Sequence, residues 1–264
     1  MNSKTETVLC ACHVPSAGER RALTSTARIG AMKSPAWMVL FPLMIATSVF
    51  AQNSAPKEVE ITAEPHHHLV LQNEYVRVFS VEVSPKDATL LHRHRHDYVF
   101  VNLGNAEISN EVEGKAPVKV TLQDGDAKFS QGDFAHIARN IGTTPFRNIA
   151  VEFMQDAKMR GEPSKWDTEP MKIQGGTQEI LLVKDGVRVS RIELETAGFE
   201  PKHHHVGPHL VIALTDIELR AEGADKTASN FEMKAGEVRW VPGDITHTVT
   251  NVGSKPEKMV ILEF

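Results

Sequence analysis

The chain has 264 residues, with 29 Lys and Arg against 34 Asp and Glu and a net charge of −5. That mildly acidic balance offers no basic footprint for nucleic acid or for anionic membranes. Its two cysteines, Cys10 and Cys12, both lie near the N-terminus, so the rest of the chain has neither a disulfide framework nor thiolate chemistry.

In chain order, residues 1–31 are polar and are expected to be an unstructured extension ahead of the true start. Residues 32–51 have the layout of a secretory signal peptide: Met32-Lys33, an apolar run from Trp37 to Phe50, and a small-x-small ending at Val49-Phe50-Ala51. The run is too short for a transmembrane helix, and Pro42 interrupts it. Cleavage before Gln52 would leave 213 residues, with 24 Lys and Arg against 32 Asp and Glu, in a secreted or periplasmic protein with no membrane attachment. That length suits two small domains. Ala55–Pro65 is expected to be a lead-in strand or arm, with His66-His67-His68 on the surface.

From Leu69 the chain repeats itself. Leu69–Phe153 aligns without a gap on Ile180–Phe264, at an offset of 111 residues and with 20 identities in 85 pairs. A long self-match of this kind predicts two copies of one fold. The identities include His92 with His203, His94 with His205, His136 with His247, Asn140 with Asn251, and Gly132-Asp133 with Gly243-Asp244. Each copy holds short runs of alternating polarity, such as Tyr75–Val83 and Val187–Leu194, bounded by turn residues. That pattern predicts an all-β sandwich or barrel. The first barrel is expected over residues 66–155 and the second over 177–264. The polar stretch 156–176 between them is expected to be an irregular linker.

The histidines supply the chemistry. In a strand, residues i and i+2 share a face, so His203 and His205 point into one space. His209 is expected to re-enter on the next strand, and His247 follows the Pro242-Gly243-Asp244 turn. The four imidazoles are therefore candidate metal ligands of the second copy. The first copy offers His92, His94 and His136, with Tyr98 in the fourth place and Asp97 beside it. Neutral imidazoles suit a divalent transition metal, and spacing alone does not choose among Fe, Mn, Ni, Cu and Zn. His204 and His96 are out of phase and expected to face solvent. Asn140 and Asn251 are expected to brace turns, as are Asp133 and Asp244. Arg77 and Arg188 are expected in surface or end-of-barrel pairs, and Glu152 and Glu263 are candidate partners of the ligands.

These motifs resemble those of the cupin superfamily, specifically the two-domain bicupins. The first cupin motif is similar to Gly198 through His203-x-His205 to His209, and to Asp87 through His92-x-His94 to Tyr98. The second is similar to Gly236 through Pro242-x-Asp244 and His247 to Asn251, and to Gly125 through Gly132, His136 and Asn140. The resemblance implies two tandem double-stranded β-helix (jelly-roll) barrels, each with a histidine cluster at its mouth and a metal in many members. The usual shell there is three histidines and one glutamate, and this chain has His209 and Tyr98 at the glutamate places. Three functions are compatible with that pattern. One is a metal-dependent, oxygenase-like enzyme acting on a small organic molecule. Another is an exported module that binds a small ligand or metal without turnover. The third is a structural duplicate with a fold-stabilising metal. No further catalytic group stands out in the sequence.

Overall fold

In the computed structural model, residues 57–155 and 169–264 are described; the expected extension and signal peptide lie outside them, as does most of the expected linker. Both repeats fall in one compact unit, Asn53–Phe264. Nearly every described element is a strand. A single 3-10 turn, Ile61–Ala63, is the exception.

The first barrel is two five-stranded sheets. One contains β1 (Val59–Glu60), β4 (His92–His94), β6 (Ala106–Val112), β7 (Val118–Leu122) and β9 (Phe134–Asn140). The other contains β2 (His67–Gln72), β3 (Val76–Val83), β5 (Tyr98–Leu103), β8 (Ala127–Ser130) and β10 (Phe146–Phe153). In the second barrel the strands matching β3 and β4 run together as one long strand, β12 (Val187–His205). After it come β13 (His209–Ala213), β14 (Ile217–Gly223), β15 (Ala228–Met233), β16 (Val238–Val241), β17 (Ile245–Asn251) and β18 (Glu257–Glu263). The first half of β12 pairs with β18 and its second half with β17. The chain breaks at Ser84-Pro85-Lys86-Asp87 in the first copy and continues through Glu195–Gly198 in the second. Strand β11 (Gln174–Lys184) starts inside the expected linker, because its first residues find ladder partners on β12.

The two barrels share a core. Val76, Val78, Val99, Val101, Ile149, Val151 and Phe153 form one buried cluster with Val187, Val189, Leu210, Ile212, Val260, Leu262 and Phe264. Every residue in the first group is the repeat equivalent of one in the second, so the two copies meet through matching faces. Phe153 and Phe264 meet edge to face with ring centroids 5.9 Å apart. Strands β10 and β18 are buried on both faces, one toward this shared core and one toward their own barrel interior, and so their middles are continuous apolar runs, Ile149–Val151 and Met259–Leu262. Separate clusters fill each interior, around Phe79 and Phe146 in the first barrel and around Ile192 and Met259 in the second.

The motif residues outside the histidines hold turns. Asn140 donates to the carbonyls of Val83 and Thr144 and accepts from the Gly142 N–H; Asn251 does the same for Leu194, Lys255 and Gly253. Asp133 and Asp244 sit at φ 66° and 58°, in the left-handed region that short polar side chains tolerate. Gly132 and Gly243 are required by close approach. A Cβ there would lie 2.4 Å from the backbone of His96 and 2.6 Å from that of Gly207, where the chain leaves the His-x-His strand.

Candidate metal centres

Strand pairing brings the motif histidines together. His92 is directly opposite His136, and His203 is directly opposite His247. In the second barrel the Nε2 atom of His203 lies 3.0 Å from Nε2 of His205 and 3.0 Å from Nε2 of His247. The other ring nitrogens fix the tautomers. His203 Nδ1 donates to the Pro201 carbonyl at 2.8 Å, and His205 Nδ1 donates to Glu263 at 3.1 Å. Both Nε2 atoms are therefore bare lone pairs facing each other. Burial holds the His203 pKa below its ordinary value and takes His247 down to about 4, so these two imidazoles are neutral near neutral pH.

The first barrel has the same arrangement with different donors. His67, His92 and His94 form a buried cluster of possible ligands. His136 stands beside it, with its ring centroid 4.6 Å from that of His92, but outside the set whose ligand atoms are all within 4.8 Å of one another. Each Nδ1 again has an acceptor: Glu64 for His67 at 2.6 Å, the Leu90 carbonyl for His92 at 2.9 Å, Glu152 for His94 at 3.2 Å and Asn110 for His136 at 2.7 Å. The Nε2 atoms of His92 and His136 are buried with no hydrogen-bond partner. Burial, and then the neighbouring His67, push the His92 pKa down to about 3. Unpaired buried nitrogens are costly unless something occupies the space between them. A divalent cation fits these residues, since metal-bound imidazoles typically donate their second nitrogen to a carboxylate or carbonyl.

The candidate partners are in place. Glu152 links His94 to Arg77, whose Nε donates at 2.8 Å; Glu263 links His205 to Arg188 at 2.6 Å. Burial alone would raise the Glu263 pKa, but the His205 and Arg188 hydrogen bonds outweigh it and bring it to about 2.

Two expected ligands lie differently from the rest. Tyr98 stacks on His94, with centroids 4.0 Å apart and planes at 14°, and His209 stacks on His205 at 4.0 Å and 23°. A metal lies in the plane of each imidazole that binds it, so a ring stacked parallel to a ligand aims its donors elsewhere. Tyr98 is a neutral phenol, its pKa pushed up to about 12 by burial, and its hydroxyl meets Ser130. His209 lines the second cavity, with Nδ1 buried and unpartnered.

Sequence reasoning missed two buried groups. His67 was expected on the surface, but it is buried because the arm before it folds over the His-x-His strand. There β1 pairs in parallel with β4, Ile61 enters the barrel core, and Glu58 binds the Arg93 guanidinium. Glu64 secures that arm: its carboxylate accepts from His67, from His66 and from the Leu90 N–H. The other is Glu200, 3% exposed, with Oε2 3.9 Å from His203 Nε2. Burial, and then the charge of Glu263, raise its pKa to about 8. His204 is exposed as expected and bonds Thr246.

Each cluster opens onto a cavity, of about 240 Å³ in the first barrel and 210 Å³ in the second. Beyond the histidines the second is walled mainly by apolar side chains such as Val211, Leu219, Phe231 and Ile261.

No family model matches the chain, and no curated protein matches it in sequence. Solved structures do match. A point mutant of Bacillus subtilis oxalate decarboxylase superposes with a TM-score of 0.54 at 13% identity, covering 72% of this chain and 69% of that one. The same enzyme at pH 4.6 gives 0.54 and 13%, covering 72% and 68%. A cupin 2 conserved barrel domain protein from Leptotrichia buccalis gives 0.46 at 14%, covering 75% and 87%. The likeness to the decarboxylase structures establishes the fold: the chain is two cupin barrels in tandem.

Proposed function

We propose that the protein is a metal-dependent, oxygenase-like bicupin acting on a small, largely apolar organic molecule at the second barrel, with the first barrel's metal serving the fold. The observation that carries this reading is the convergence of imidazole Nε2 atoms, 3.0 Å apart in the second barrel and, on His92 and His136 of the first, buried without a hydrogen-bond partner. His203, His205 and His247 would hold the ion of the second barrel, and His67, His92, His94 and His136 that of the first. A bound first-row metal would supply Lewis-acid or redox chemistry at an open position. The chain's own residues do the rest. Glu263 and Pro201 keep His205 and His203 in the metal-binding tautomer, and the His209 ring fixes His205 by stacking. The apolar wall excludes water and selects the substrate.

The decarboxylase neighbours do not transfer their substrate to the second barrel. Oxalate is a dianion, and the described lining of the second cavity contains neither Lys nor Arg. Four enclosed imidazoles with no carboxylate among them favour a stabilising ion in the first barrel. Metal analysis of protein purified without chelator, followed by oxygen-uptake screening with small apolar substrates, tests the reading. Bound redox-active metal with turnover supports it. Absence of metal overturns it, and metal without turnover supports a binding module instead.

Export is part of the proposal, resting on the signal-like residues 32–51. Secreted protein should begin at Gln52, and a mature chain beginning at Met1 would refute export.

A further inference from the structure

We propose that Glu200 is the carboxylate ligand of the second barrel's metal, reaching the site from a position three residues before the His-x-His pair. This rests on the metal reading above and makes the two sites chemically different.

The strand register places Glu200 there. On β17, Val249 and His247 are two residues apart and share a face. Glu200 pairs with Val249 and His203 pairs with His247. Two residues, Pro201 and Lys202, therefore stand opposite the single residue Thr248. That is a β-bulge, and it puts Glu200 on the same face as His203 and His205, where regular alternation would have turned it away. The carboxyl approaches Nε2 of His203, the nitrogen that also meets His205 and His247, at 3.9 Å. Two donors each about 2.0–2.2 Å from one zinc-like ion can be up to roughly 4.3 Å apart, so the His203–Glu200 spacing fits a shared ion; the carboxyl lies outside the set His203, His205 and His247, whose ligand atoms are all within 4.8 Å of one another, and joins it by rotating its side chain. No described Arg or Lys pairs with Glu200, although it is almost completely buried.

The first barrel shows what the position does without that role. Its equivalent is Thr89, whose hydroxyl accepts the Ala138 N–H at 2.9 Å. There the additional donor is His67, from the N-terminal arm. Carboxylate ligands favour Mn(II), while all-imidazole sets favour Zn, Cu, Fe and Ni. The two sites should therefore sort metals.

The test compares wild-type full-length protein with Glu200→Gln, which keeps the side-chain shape, and Glu200→Thr, which installs the first barrel's residue. Each is stripped, shown to be folded by thermal unfolding, and titrated separately with Mn(II) and Zn(II). Binding is followed by metal analysis and by the Mn(II) paramagnetic resonance spectrum. We expect both variants to lose Mn(II) affinity at one site by about tenfold or more, with a changed spectrum and a smaller loss for Zn(II). Unchanged Mn(II) affinity and spectrum, in the presence of a His205→Ala control that abolishes the site, would overturn the Glu200 assignment and leave the metal reading intact. If His205→Ala also changes nothing, the metal reading of this barrel fails and the assignment with it.

Discussion

The two barrels share a scaffold and differ in how each completes its histidine cluster. Both use His-x-His, a histidine directly opposite it, an Arg–Glu pair behind the second histidine, and a ring stacked on that histidine. The first recruits His67 from outside the repeat, from an arm pinned by Glu64. The second has Gln178 at the matching repeat position, where its amide oxygen accepts the Met171 N–H at 2.7 Å. It brings in Glu200 through a bulge instead. The framework of turns and apolar strands is common to both copies. The added donor comes from a different segment in each copy.

The largest expected effect probes what the copies share. Phe153→Ala and Phe264→Ala each open a cavity in the common core and should cost about 3–5 kcal/mol in chemical denaturation. Because the positions are pseudo-symmetric, the two costs should agree; a cost at only one of them would show that the barrels do not depend equally on this interface.

Ligand substitutions probe the copies separately. His205→Ala should remove the second barrel's metal and lower the melting temperature of the metal-loaded protein. His204→Ala, an exposed change on the opposite face, should stay within about 0.5 kcal/mol of wild type and retain full metal content. Equal losses from the two would contradict the convergence of the Nε2 atoms.

Glu64→Gln should loosen only the first barrel. Its carboxylate is buried, and the hydrogen bonds from His66, His67 and Leu90 outweigh the burial penalty and hold its pKa near 2. Weakening them should cost about 1–3 kcal/mol. The arm before His67 should become protease-sensitive while second-barrel metal content stays constant.

The pH dependence of the metal-free chain offers a further comparison. His92 and His209 titrate near 3 and His247 near 4 when folded, because burial and then neighbouring histidines oppose their charge. These values lie below the unfolded value of about 6.5, so the unfolded chain takes up protons first. The histidine contribution should be full above about pH 6.5 and be lost as pH drops toward 3. Glu200 runs the other way: with its pKa raised to about 8, it destabilises the fold as pH rises from about 4.5 through 8. Melting curves should therefore show a narrower pH optimum for wild type than for Glu200→Gln, and identical profiles would count against the burial of Glu200.

Much of this protein is legible in its sequence. The gapless repeat, strand alternation and turn residues determine two β-barrels. The i, i+2 rule places His92 with His94 and His203 with His205, and the motif-two turn returns His136 and His247 to them. These are local periodicities, and local geometry settles them. Tertiary structure alone decided the remainder. His67 is buried only because β1 docks beside β4 and Ile61 fills the core, a long-range contact with no periodic trace. Glu200 faces inward only because two residues of β12 stand against one of β17, and a one-residue slip moves a side chain to the other face. His209 and Tyr98 have the right spacing for a ligand yet lie parallel to a neighbouring ring, because ring orientation is set by packing between strands.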